Sequence, residues 1–274
     1  MPIGKFIDFA KDIGADGIEV LDAFLYEPGV VRDHLPKPEV VDTFSAQVLE
    51  GLAKTGLRVH AISVTNDFNF EDTSRLRVER EKIELGISLA KKFSAPTVRV
   101  FSGNPTSSDG IELVRYGAID ALKDLSDDSV KLALENHGAV FATPSRLLSI
   151  LEPLDNRNVG LCFDIGNFLL ADIDPVQAAH ELPIPALIHI KDFQLVQEGS
   201  YRSNKGIHYS GCRLGEGVVP IQETLDVLLS RLKGTPICLD LEMECGEDGL
   251  EATRHGVKWL RDYLSSKCLE QTNS

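Results

Sequence analysis

KLALENH (131–137), VGLCFDIGN (159–167), ALIHIKDF (186–193) and TPICLDLE (235–242) decide the fold of this chain. Each is a short apolar run that carries a polar or charged residue late in its course, as buried strands of a parallel sheet do. Towards the N-terminus, GIEV (17–20), RVHAISV (58–64) and TVRVFSG (97–103) have the same form. Between these runs lie stretches with helical spacing at 40–53, 75–93, 110–125, 144–151, 221–232 and 251–264.

Strand and helix alternating at this interval predict an α/β fold with a parallel sheet. No Gly-rich phosphate loop follows any strand, which favours a (β/α)₈ TIM barrel over a dinucleotide-binding sheet. Only seven strands are counted, because 3–13 already reads as an amphipathic helix leading into GADGIEV. The barrel is therefore expected to lack its first strand, with an open seven-stranded barrel or a doubly wound sheet as alternatives. Residues 1–264 are expected to form one domain and 265–274 a frayed tail. Ser74 and Thr143-Pro144 read as helix starts, and Gly56 and Gly234 as helix stops. The stretch 197–217 reads as a long irregular segment, of the kind that forms lids.

Length suits one barrel or two smaller domains. The net charge of −14 repels phosphate backbones, so nucleic acid is excluded as a partner. No apolar run is long enough to cross a membrane, and the five cysteines are scattered without a C-x-x-C pair. Those cysteines fit a reducing cytoplasm rather than a disulfide framework.

The chemistry lies at the strand ends. Glu135, Asp164, His189 and Glu242 fall late in four successive strands, 29, 25 and 53 residues apart. The first two intervals approximate one βα unit of about 30 residues, and the third is a unit enlarged by 197–217. Alternation points Ala133 and Glu135 inward while Leu132 and Leu134 face the helices. It does the same for Cys238, Asp240 and Glu242 against Leu239 and Leu241, and for His189 between Ile188 and Ile190. Four inward polar groups at one end of a barrel need a cation or one another to offset desolvation. Three carboxylates and an imidazole suit one divalent ion, Mn²⁺ first and otherwise Mg²⁺, Co²⁺ or Zn²⁺. Arg99, Asn167, Lys191 and Arg213 are expected to bind substrate, and His137 to act as an acid or to orient a hydroxyl. Glu19 and His60 are expected to be structural, with lining of the pocket as the alternative for each.

GADGIEV, LALENHG, GLCFDIGNF, LIHIKDF, the GEG at 215–217 and the closing LDLE together resemble the xylose-isomerase-like TIM barrel superfamily of sugar phosphate isomerases and epimerases. The resemblance runs from Gly14 to Glu242. It implies that Glu135, Asp164, His189 and Glu242 ligate one divalent metal ion. It also implies that Glu135 and Glu242 flank the substrate carbon, one abstracting a proton and the other returning it, through an enediolate. The substrate is then a small sugar or hydroxyketone, and homo-oligomers are common in the family. Asp164-Ile-Gly-Asn167 stands where the family often has Asp-x-x-His, and Val218-Val219-Pro220 where an Asp often follows the GEG. Glu135-x-His137 is similar to the arrangement in related dehydroshikimate dehydratases, where a strand arginine also contacts substrate; Arg99 and His137 fill those places. A metal-dependent dehydratase or lyase of that type is the alternative activity. A multinuclear apurinic endonuclease of the same superfamily is disfavoured by Asn167, by only seven histidines and by the charge.

Overall fold

The computed structural model describes residues 1–272 other than 104, 106 and 127. The chain opens on helix α1 (Ile3–Asp12), then strand β1 (Gly17–Leu21). Four more units follow in strict alternation: α2 (Pro38–Thr55), β2 (Arg58–Ser63), α3 (Thr73–Phe93), β3 (Thr97–Val100), α4 (Ser108–Leu125) and β4 (Lys131–Glu135), then α5 (Gly138–Phe141), α6 (Pro144–Leu151) and β5 (Val159–Asp164). The second half adds α7 (Ile165–Leu170), α8 (Pro175–Glu181), β6 (Leu187–Ile190), β7 (Asp192–Leu195), β8 (Tyr201–Arg202), β9 (His208–Cys212), α9 (Ile221–Leu232), β10 (Cys238–Leu241) and α10 (Gly249–Thr272).

Seven strands form one parallel sheet in the order β1-β2-β3-β4-β5-β6-β10. Sequential order with parallel neighbours is barrel topology; a doubly wound sheet reverses its order partway. Among the described residues no strand joins the edges β1 and β10, where an eight-stranded barrel carries one more strand. A cavity of about 1450 Å³ fills that gap, lined by Phe6, Ala10, Leu239 and Leu260 and reached by Glu19, Asp240 and Glu242.

The expected alternation holds. Leu132, Leu134, Ile188 and Ile190 pack outward into the helix layer, with Leu239 and Leu241 against it. Ala61, Ala133, Cys162 and Leu187 form a small inner cluster that Cys238 joins. Small residues inside are needed because a narrow barrel has room for few large ones.

Four local expectations differ from the structure. The cap of α3 is Asp72, whose carboxylate accepts from Ser74 N at 2.8 Å, not Ser74 itself. The Thr143 side chain makes no capping hydrogen bond, although Pro144 does occupy the first turn. The segment 197–217 is not irregular: β8 and β9 lie within it, and β9 pairs antiparallel with both β7 and β8 in a three-stranded ribbon. Tyr201, Tyr209 and the fully buried Phe193 anchor the ribbon through aromatic contacts. The helix of the C-terminal segment also continues past Leu264 to Thr272. None of the described helices is long and apolar enough to cross a membrane.

Asp192 explains why LIHIKDF and GEG occur together. Its carboxylate accepts from Phe193 N (2.8 Å), Gly215 N (2.9 Å), Gly217 N (3.0 Å) and Val219 N (3.2 Å). A Cβ at position 217 would stand 2.0 Å from Asp192 Oδ1, so only glycine lets the turn close on the carboxylate.

Candidate metal centre

Five carboxylates converge at the C-terminal ends of the strands: Glu19, Glu135, Asp164, Asp240 and Glu242. The register sets His189 beside Asp164 on one side and Asp240 on the other. Asn136 locks the end of β4 to that of β5, accepting from Asp164 N at 2.7 Å and donating to Asp164 O at 2.9 Å. Asp164 also caps α7, its Oδ1 accepting from Asn167 N at 2.9 Å. Asn167 in turn donates through Nδ2 to Glu135 Oε1, again at 2.9 Å. One oxygen of each acid is thereby held by the scaffold. Glu135 Oε2 and Asp164 Oδ2 are left facing the centre.

His189 is oriented from the opposite side. Its Nε2 lies 3.0 Å from Glu19 Oε2, while Nδ1 faces Glu242 Oε1 at 3.1 Å and Glu135 Oε2 at 3.8 Å. Nε2 donates to Glu19, and although burial opposes it, the neighbouring Cys162, Glu19 and Glu242 raise the pKa of the ring well above the usual histidine value, so the ring is charged here and its Nδ1 proton would leave when a metal binds. Glu19 is kept in place by a hydrogen bond from Ser63 Oγ. Its inward aim follows the alternation of β1, with Ile18 and Val20 packed outward; a bulge at His60 of β2 shifts the register so that Glu19 pairs with Ala61. Gly17 permits this, since a Cβ there would come within 2.2 Å of the His60 ring.

Two permanent cations stand among the acids. Arg99 Nε lies 3.1 Å from Glu135 Oε2 and 3.9 Å from Glu19 Oε1, with its guanidinium 4.1 Å from the centre of the Phe101 ring. Lys191 Nζ lies 2.7 Å from Asp164 Oδ2 and 2.8 Å from Glu242 Oε2. His137 stacks on Phe101 with ring centres 4.1 Å apart. Burial, then Lys191 and Arg99, push its pKa down to about 4, so it is a neutral hydrogen-bonding group near pH 7.

The residues present fit a divalent ion. Glu135 Oε2, Asp164 Oδ2 and His189 Nδ1 are buried without a hydrogen bond, each facing a charged neighbour at ion-pair distance. Donor atoms of Asp164, His189 and Glu242 all lie within 4.8 Å of one another, and Glu135 forms a second such group with His189 and Cys162. Five carboxyl groups crowd around Arg99, Lys191 and one imidazole, a donor set that a dication would hold in its ionised form. The strain shows in the titration of the acids. Burial and the nearby Glu19 push Asp240 up to about 8, and burial pushes Asp164 up to about 6 against the pull of Lys191. Burial acts on Glu242 too, but Lys191 and His189 outweigh it and hold this carboxyl well below the usual range.

The structure thus brings together Glu135, Asp164, His189, Glu242, Arg99, His137, Asn167 and Lys191. Arg213 is not among them: it lies on the surface, ion-paired to Asp248. Glu19, expected to be merely structural, faces the centre and orients His189. Its signal was available in GIEV, where a lone acid between Ile18 and Val20 repeats the pattern of the later strands.

The sequence profile of the xylose isomerase-like TIM barrel family matches residues 7–263. Among curated proteins, the chain is 28% identical over 117 residues to a 3-oxo-isoapionate decarboxylase of Pectobacterium atrosepticum, covering 42% of this chain and 39% of that one. The curated relatives are thus matched over less than half of their own length. Among solved structures, the IolI protein with a bound zinc atom superposes with a TM-score of 0.73 at 18% identity, over 96% of this chain and 93% of that one. The 3-keto-D-glucoside 4-epimerase YcjR of E. coli gives 0.70 at 17% identity, over 95% and 94%. At such identities these structures speak to the fold. By the profile match over nearly its whole length, the chain belongs to the xylose isomerase-like TIM barrel family.

Proposed function

We propose that the protein is a divalent-metal-dependent isomerase or epimerase acting on a small sugar or hydroxyketo acid. The observation that carries this reading is the convergence of Glu135 Oε2, Asp164 Oδ2 and His189 Nδ1, all without hydrogen-bond partners, beside Glu242. Glu135, Asp164, His189 and Glu242 would hold the ion, Mn²⁺ first, with Mg²⁺, Co²⁺ or Zn²⁺ as alternatives. When bound, the ion supplies a Lewis acid for a carbonyl and its neighbouring hydroxyl. Glu135 and Glu242 both face the His189 Nδ1 side, and one removes the proton beside that carbonyl while the other returns it. Asn167 and Arg99 hold Glu135 in place for this, and the neutral His137 offers a hydrogen bond to a substrate hydroxyl. A zinc-bound neighbour and an epimerase neighbour on the same fold support the reading.

Elimination from the same carbon acid is the second reading. It is favoured by His137 and Arg99 both packing against Phe101, a pair placed to hold a leaving hydroxyl or a carboxylate. Elemental analysis of the purified protein and a Glu242→Gln variant tests the site. Near-stoichiometric Mn, Mg, Co or Zn, weakened in the variant, is the expected result. A folded protein that takes up no divalent ion from excess overturns it. Solvent-deuterium incorporation into recovered ketoses, against appearance of a conjugated product, separates the two reactions.

A further inference from the structure

The centre between the proposed ligands already holds a cation of the protein's own. Lys191 lies just past the end of β6, two residues after His189, and its side chain turns to the same centre. Its side chain is only 6% exposed, and its ammonium touches Asp164 Oδ2 and Glu242 Oε2, two of the oxygens a metal would need. The stem has little freedom, since a Cβ on Gly166 of α7 would stand 2.6 Å from Lys191 Cγ. A divalent ion on these oxygens sits about 2.0–2.2 Å from each. An ammonium still in contact with both would then lie close to the ion, in a setting where like charges repel strongly.

We infer that Lys191 is a built-in counter-cation that competes with the divalent ion: it neutralises Asp164 and Glu242 in the metal-free protein and must release both when the ion enters. The inference rests on the metal-centre reading above. It makes metal affinity a balance between two cations on one pair of oxygens. A lysine serving only to staple β6 to the end of β10 predicts the reverse, because its loss would loosen the ligands and weaken the metal.

Titration calorimetry with Mn²⁺ on metal-free wild type, Lys191→Met and Lys191→Arg distinguishes them. Lys191→Met is expected to bind Mn²⁺ at least about tenfold more tightly than wild type, and Lys191→Arg no more tightly. Mn²⁺ is also expected to raise the melting temperature of Lys191→Met more than that of wild type. Equal or weaker binding by folded Lys191→Met overturns the inference and leaves the metal centre standing. Absence of binding by wild type and variant alike overturns the metal centre with it. If Lys191→Met does not fold without metal, Mn²⁺ is expected to restore folding by supplying the missing charge; failure to do so also overturns the inference.

Discussion

Replacing Asp192 by alanine removes the acceptor of four backbone N–H groups, three of them on the distant turn that holds Gly215, Gly217 and Val219. Hydrogen bonds to charged groups contribute about 1.5–3 kcal/mol each when buried. Gly215 is exposed and Gly217 half-buried, so water can re-satisfy part of the loss, and about 1–1.5 kcal/mol per bond is appropriate. Three bonds then give about 4 kcal/mol for Asp192→Ala. Asp192→Asn keeps one acceptor oxygen and should lose about half of that. Urea denaturation followed by circular dichroism measures the global effect. The only tryptophan reports the local one, because a Cβ on Gly215 would lie 2.5 Å from Trp259 Nε1, which places the indole directly against the turn. Loss of the turn should shift Trp259 emission well before the barrel unfolds. A variant within about 0.5 kcal/mol of wild type, with unchanged emission, would refute the argument that this carboxylate organises the turn.

Two further outcomes follow from the same geometry. Glu19→Gln weakens the hold on His189 Nε2 and should lower metal affinity by about 10–100-fold, read by competition with a chelator; unchanged affinity would show that Glu19 does not set the imidazole. Burial, with Arg58 adding to it, lowers the pKa of His60, so the folded state favours the neutral ring. For a histidine shifted this way, stability is complete above the unfolded value of about 6.5 and is lost as pH falls through it. Between pH 8 and 5.5, wild type should therefore lose more melting temperature than His60→Gln, and equal losses would dismiss the idea.

Much of the architecture was legible in the chain because it depends on local rules. Strand runs of four to six residues alternating with amphipathic helices can bury both faces of a sheet only as a parallel α/β layer. Alternation then placed Glu135, His189 and Glu242 opposite the outward leucines and isoleucines, and the constant length of a βα unit placed them at one end of the barrel. The count of seven sheet strands was legible for the same reason.

What the amino-acid order determines by itself is therefore the fold and the ring of acids at the strand ends, through periodicity and unit length. The tertiary structure decided the rest. Glu19 faces inward by the alternation of β1, but that it stands opposite Ala61 and within reach of His189 depends on the extra residue His60 in β2 and on contacts between remote strands. Arg213 lies in a segment that looked like a lid, yet it pairs with Asp248, 35 positions away. Lys191 reaches across to Glu242, 51 positions away, and the placement of its charge between the carboxylates of Asp164 and Glu242 follows from how β6, α7 and the end of β10 pack. Such partnerships depend on distances of a few ångströms between remote segments, which only the folded chain sets.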